Sequence, residues 1–216
     1  MRHARASSAK AASPPAGVQA EEESALVVRA QAGDRGAYGR LVLLYQDRLY
    51  NAVLRTVGDA EEAREITQEA FCRGLEKIEQ FRGESGFYTW LFRVAINQAV
   101  SQLRKVQRRR TFSLDGAAGG TGGSNGQADL HEQRREPAPH VAMEDRERHA
   151  GVLAALGRLD AEYRALLVMR DIEGFDYKQI AEMLEMPLGT LKSRLFRARL
   201  ALRDQLRQQL GPEAVR

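Results

Sequence analysis

Residues 177–199, YKQIAEMLEMPLGTLKSRLFRAR, set four cations (Lys192, Arg194, Arg197, Arg199) and two hydroxyls (Thr190, Ser193) at helical spacing. Leu191, Leu195, Ala198 and Leu202 run between them as an apolar stripe. At 3.6 residues per turn, that pattern buries the stripe and turns the cations and hydroxyls outward. Cations grip phosphate, and arginine, lysine and hydroxyl side chains read base edges. A break at Met186-Pro187-Leu188-Gly189 separates this helix from a shorter one before it. One helix braced and the next presented is the layout of a helix-turn-helix that reads the major groove.

A second cluster lies at 81–93, FRGESGFYTWLFR. Arg82-Gly83-Glu84-Ser85-Gly86 is loop chemistry, and Phe87, Tyr88, Trp90 and Phe92 follow within six residues. Aromatics make up only 6% of the chain, so this is a concentration. Two readings are open. The rings form a small core, since helical spacing cannot put all four on one face, or they form a platform on which an unpaired base stacks. Downstream, Arg104, Lys105, Arg108, Arg109 and Arg110 either complement a helix dipole or track phosphates. Glu61, Glu62, Glu65, Gln68 and Glu69 give another helix an acidic face. Such a face is solvated, or it meets a basic protein partner.

Little else offers chemistry. His3, His131, His140 and His149 fall in the N-terminal tail, the linker and its border, which argues against a catalytic or metal site built on histidine. Cys72 is the only cysteine, so no disulfide framework or cysteine zinc site is expected, and the setting is read as a reducing cytoplasm. No cofactor is implied. The net charge of +4 in 216 residues is mild, and its distribution matters more than its sum. No apolar run approaches the roughly 20 residues needed to span a bilayer, so no membrane insertion is expected.

These groups need a frame, and the periodicity predicts an all-α one. Residues 1–23 read as a disordered tail, basic and without an apolar core. Residues 24–110 read as a helical domain. Within it Asp34 caps a helix bearing Tyr38, Leu41, Val42, Tyr45, Leu49 and Val53. Asp59, with Glu62 three residues on, starts a helix faced by Ala63, Ile66, Ala70, Phe71, Leu75 and Ile78. A further helix begins near Tyr88. Residues 111–143, rich in glycine, read as a flexible linker. Residues 144–210 read as a second small helical domain, with Gly174 breaking the chain before the helix-turn-helix.

Taken together, DAEEAREITQEAF (59–71), FRGESGFYTWLFRVAINQ (81–98) and YKQIAEMLEMPLGTLKSRLFRAR (177–199) resemble the bacterial extracytoplasmic-function (ECF) sigma factors of the sigma-70 family. The strings come in the family's order and the resemblance covers roughly residues 24–210. It implies a region 2-like domain at 24–110 and a region 4-like domain at 144–210. It also implies that Glu65, Gln68 and Glu69 dock on core RNA polymerase, with glutamate where the family more often has aspartate at position 65. Arg82, Gly83, Glu84, Ser85, Phe87 and Asn97 match minus-ten recognition positions, where a base is flipped out. Trp90 matches the helix that supports strand separation. Arg104 and Arg108 fit a phosphate strip beside that loop. Thr190, Lys192, Ser193, Arg194 and Arg197 match the face that reads the minus-thirty-five element. The implied partners are core polymerase, promoter DNA as duplex and melted strand, and an anti-sigma factor.

The chain departs from the pattern at Glu185, where this helix-turn-helix commonly has glycine. If that residue sits at positive φ, glutamate costs roughly 1–2 kcal/mol. Two rival classes remain at this point. A polymerase-independent helix-turn-helix regulator would not need the 81–93 segment, and a nucleic-acid-processing enzyme would need carboxylates in a cleft rather than along one helix.

Overall fold

The computed structural model describes residues 20–114 and 151–210, with side chains described over 21–105 and 151–209. All regular structure among them is helical. The first half holds α1 (Ala20–Gln31), α2 (Arg35–Val57), α3 (Ala60–Glu76), a 3₁₀ turn (Ile78–Gln80) and α4 (Phe87–Leu114). The second half holds α5 (151–157), α6 (Ala161–Leu167) with a π-helical continuation (Val168–Ile172), α7 (Tyr177–Met183) and α8 (Leu188–Leu210). The tail and linker expected from the sequence lie mostly outside the described residues. At their edges the helices run further than expected, since 20–23 belong to α1 and 111–114 to α4.

Local chemistry sets the helix ends. Asp34 accepts from the Ala37 amide at 3.0 Å and pairs with Arg29 at 2.6 Å. That amide, then Arg29, holds the Asp34 carboxyl below the ordinary carboxylate range. Asp59 accepts from Glu62 N at 2.9 Å, as its spacing predicts. Glu23 ties three helices together. It accepts from Tyr45 Oη at 2.6 Å and from the Phe87 amide at 3.2 Å, at the N-terminus of α4. A carboxylate there satisfies an orphan donor and meets the positive end of the helix dipole.

The predicted faces of α2 and α3 are buried, with Val42 half-buried and Leu75 as the exception at 40% exposed. At Gly74 a Cβ would lie 2.6 Å from Tyr38 Oη and 3.0 Å from Leu91 Cδ1. Only glycine permits so close an approach of α3 to α2 and α4. Tyr38 Oη donates to the buried Phe71 carbonyl at 2.6 Å, fixing the same crossing.

The two halves share one continuous core. Phe175, from the turn after the π segment, packs on Tyr88 and Phe92 of α4, with ring centroids 6.5 and 4.8 Å away. Arg164 of α6 donates to Thr56 O and Val57 O at the end of α2, and to Gly157 O and Leu159 O. A buried cation on helix C-terminal carbonyls complements the dipole there, although burial lowers its pKa from the ordinary value.

Candidate nucleic-acid interface

Helix α8 is built as its stripe predicts. Leu191, Leu195 and Ala198 are fully buried and Leu202 is half-buried. Lys192, Ser193 and Arg197 are exposed, Thr190 is half-buried, and Ser193 Oγ donates to Thr190 O at 2.9 Å. The preceding helix is locked by a capping box. Asp176 accepts from the Gln179 amide at 2.8 Å, and the Gln179 side chain accepts from Asp176 N at 2.9 Å. The D-x-x-Q spacing at 176–179 carried that signal, and the sequence reading passed over it.

The break between the two helices falls at 184–187, slightly earlier than expected, because Leu188 and Gly189 already belong to the first turn of α8. Glu185 has φ +51° and is the one non-glycine residue at positive φ among the described residues. The departure read from the sequence is therefore a left-handed residue with a Cβ, held by the bond from Met186 N to Ala181 O at 3.0 Å.

Not every cation on α8 is available. Arg199 is bound to Asp171 at 2.6 Å, so it straps α8 to the π segment, and that bond raises its pKa. Arg194 donates to Glu162 at 2.8 Å. The same carboxylate accepts from Arg104 of α4 at 3.1 Å. Glu162 thus joins a cation expected to read the duplex to one expected to track phosphates. The sequence gave no cue to this, because Glu162 looks like an ordinary first-turn acid. Phe196 was also missed. It is 65% exposed on the Lys192 side of the helix, off the apolar stripe.

In the first half, Arg82, Gly83 and Glu84 are exposed, Ser85 is half-buried, and Gly83 has φ +70°. Phe87 lies elsewhere. It is 1% exposed, its ring among Tyr38, Tyr45, Phe81 and Trp90, so it anchors the loop from beneath. Tyr88 and Phe92 are buried too, and Trp90 is half-buried against Phe81. The core reading therefore takes three of the four rings and leaves Trp90 partly open. The Arg108 side chain lies outside the described residues.

Glu65 and Gln68 are exposed on α3. Glu69 is turned toward α4, where it pairs with Arg73 and accepts from Gln98. It lines a groove shared with Asn97. The structure therefore separates Glu69 from the two residues it was grouped with and sets it beside a residue read as DNA-binding.

Among the described residues, no group of three His, Cys, Asp or Glu side chains is placed to hold a metal ion, and no helix is long and apolar enough to cross a membrane.

Residues 41–110 match the Sigma-70 region 2 family and residues 149–202 match Sigma-70, region 4. The chain is 38% identical over 194 residues to the RNA polymerase sigma-H factor of Pseudomonas aeruginosa, covering 90% of this chain and 98% of that protein. It is 34% identical to the ECF RNA polymerase sigma-E factor of Haemophilus influenzae, covering 85% of this chain and 95% of that protein. It is 33% identical to the ECF RNA polymerase sigma factor SigW of Bacillus subtilis, covering 81% and 91%. The fold is similar to CnrH in complex with the cytosolic domain of CnrY, with TM-score 0.55, 22% identity, and 86% and 97% coverage. It is similar to the same degree to the sigma factor RpoE in complex with the anti-sigma factor NepR from Bartonella quintana, with TM-score 0.55, 23% identity, and 79% and 96% coverage. With both halves matched in order and relatives covered almost end to end, the chain belongs to the ECF group of sigma-70-family sigma factors, the regulatory subunits that bind core RNA polymerase and direct promoter recognition.

Proposed function

We propose that this sigma factor reads duplex DNA with the Thr190, Lys192, Ser193, Arg194 and Arg197 face of α8, and that the Arg82–Ser85 loop, Trp90 and Asn97 hold the melted strand. The observation that carries the reading is the outward, cation-bearing surface of α8, braced by three fully buried stripe residues. Exposed Phe196 supplies an apolar contact for a thymine methyl on the same surface. Glu65 and Gln68 dock on core polymerase from the outer face of α3.

The packed arrangement of the two halves is a resting one. Minus-ten and minus-thirty-five elements lie roughly 25 base pairs apart, about 85 Å of duplex. A compact body of this size has a radius of gyration near 15 Å. The contacts across the shared core must therefore part on a promoter. The chain from 115 to 150 permits this, since its extended reach is on the order of 120 Å.

The chain works in the cytoplasm, where its polymerase is, and performs no chemistry itself. An anti-sigma partner fits the company its structural relatives keep, RpoE having been solved with NepR. The test is transcription in vitro with core polymerase over a genomic library. Specific start sites that vanish with Lys192→Ala/Arg197→Ala support the reading. Start sites indifferent to both α8 and the 82–85 loop overturn it.

A further inference from the structure

The segment Arg82–Gly86 has little of its own to fix its shape. Gly83 and Gly86 both lie in it, and Gly83 sits at φ +70°. Glycine leaves the backbone the widest choice of conformations, so a reading surface built on it must be ordered from outside. Both ends of the segment are held, and one helix holds them. At the entry, Nε2 of Gln31 donates to Phe81 O at 2.7 Å and to Ile78 O at 3.1 Å. At the exit, Oε1 of Glu23 accepts from the Phe87 amide at 3.2 Å. Tyr45 Oη donates to Oε2 of the same carboxylate at 2.6 Å, which turns Oε1 toward that amide. Glu23 and Gln31 both lie on α1, roughly 12 Å apart along its axis. Between them Leu26, Val27 and Ala30 are buried, fixing α1 against the body. The rings of Phe81 and Phe87 close the base of the loop, with centroids 6.0 Å apart.

We infer that α1 is the positioning element of the 82–85 loop, Glu23 and Gln31 setting the geometry in which that loop meets the separated strand. The inference rests on the preceding reading that the loop holds this strand. Each of the two residues acts through backbone at one end of the loop and needs no contact with DNA. A loop fixed at both ends cannot shift to suit a wrong base, whereas a loose one accommodates either. Gln31 directs amide hydrogens at two carbonyls, so glutamate in its place would set an acceptor against acceptors. Glu23 is more replaceable. Glutamine there keeps an oxygen for the Phe87 amide and brings an N–H that can donate to Tyr45 Oη. The match to region 2 begins at residue 41, so α1 stands outside it.

The test uses holoenzyme assembled from the full chain and core polymerase, on a promoter library randomised across the melted strand. The readout is the ratio of transcription from the best base to that from the worst, at the position most sensitive to Arg82→Ala/Ser85→Ala. A chain that is merely less stable yields less active holoenzyme at the same ratio. Gln31→Met and Gln31→Glu should each lower the ratio about fivefold, the worth of one ordinary hydrogen bond. Glu23→Ala should do the same, and Glu23→Gln should restore most of the native ratio. Base preferences across the minus-thirty-five element should not move in any of these variants. Lower transcription at an unchanged ratio, in Gln31→Met and Glu23→Ala alike, overturns the inference and leaves α1 a purely structural helix. An equal loss of preference across the minus-thirty-five element overturns it too. If no melted position responds to Arg82→Ala/Ser85→Ala, the loop reading itself fails and takes this inference with it. That result differs from a position that responds to the loop and ignores α1.

Discussion

Tyr88 donates to Glu173 at 2.9 Å across the seam between the two halves. Arg48 completes the arrangement. Its Nε lies 3.1 Å from the same carboxylate, and its guanidinium sits 4.0 Å above the Tyr88 ring. The Glu173 side chain is only 5% exposed. A buried carboxylate held this way makes a weak glue but a strict register, because removing one partner strands the others. Glu173→Leu removes the carboxylate that the Tyr88 hydroxyl and Arg48 share. The expected cost is about 2–3 kcal/mol, below the range for a fully buried pair because Arg48 is partly solvated. Urea unfolding should show it, with the transition broadening as the second half loosens first.

High pH should weaken the same packing. Burial raises the Tyr38, Tyr45 and Tyr88 phenols above their ordinary value of 10.0, helped by Cys72, Glu23 and Glu173 respectively. A group whose folded pKa is raised binds its proton more tightly in the folded state. Its contribution is whole below about pH 10 and is lost as pH climbs toward the folded value. Each such phenol adds a slope of about 1.4 kcal/mol per pH unit in that window. Stability measured from pH 8 to 11 should be flat and then fall. Tyr88→Phe should make the fall shallower, and an unchanged slope would show that Tyr88 does not titrate with unfolding.

Glu185 is the place where the backbone asks for a different residue. Its φ of +51° costs a side-chain-bearing residue roughly 1–2 kcal/mol. Glycine removes that strain but returns part of it as unfolded-state entropy. Glu185→Gly should therefore raise stability by about 0.5–1 kcal/mol, read as a higher melting temperature. Glu185→Val should lower it. A neutral glycine variant would mean the turn relaxes around glutamate without strain.

That turn shows what a sequence can reveal. Periodic burial is legible because one helix face repeats every 3.6 residues, so the stripes of α2, α3 and α8 could be marked residue by residue. Caps are legible because they depend on neighbours three apart, as at Asp34 and Asp59. The seam was not legible. Arg48 and Glu173 are 125 residues apart, and a lone charge in an apolar run carries no period. Arg164 is hidden in the same way, reading as one polar residue in an amphipathic helix. The aromatic run at 87–92 failed for a different reason. Its composition is the same whether the rings face a base or one another, and only the crossing of α2 over α4 decides that Phe87 goes inward. Gln98 has no signature either, since it looks like a solvated helix residue until Glu69 orients it.

Glu162 holds Arg104 and Arg194 at once, so removing its charge should release two cations to DNA. Glu162→Gln preserves the shape. The expected result is severalfold tighter binding of minus-thirty-five duplex by the free chain. The slope of log affinity against log salt should steepen by about one, since Arg194 is the released cation on the duplex-reading face and each new phosphate contact adds about 0.9. Fluorescence anisotropy across a potassium chloride series measures both. An affinity and slope equal to those of the native chain would mean the arginines reach DNA without hindrance from this carboxylate.

Trp90 separates strand melting from duplex capture. Its ring is half-buried and tilted against Phe81 and Phe87, with centroids 5.4 and 5.9 Å away. It therefore supports the 82–85 loop and still offers an edge to an extruded base. The duplex-reading face of α8 lies in the other half of the chain and touches none of these rings. Trp90→Ala should lower open-complex formation about tenfold, the loss of one base-stacking contact of roughly 1–3 kcal/mol. Closed-complex binding should change by less than twofold. Permanganate footprinting of the melted region, set beside filter binding of the closed complex at low temperature, separates the two. Because the ring also packs in the core, Trp90→Phe is the needed partner variant, keeping an aromatic face at lower volume. If it restores melting, stacking is the function. If both variants lose duplex binding in proportion to melting, Trp90 serves only the fold and the assignment of α4 to the separated strand fails.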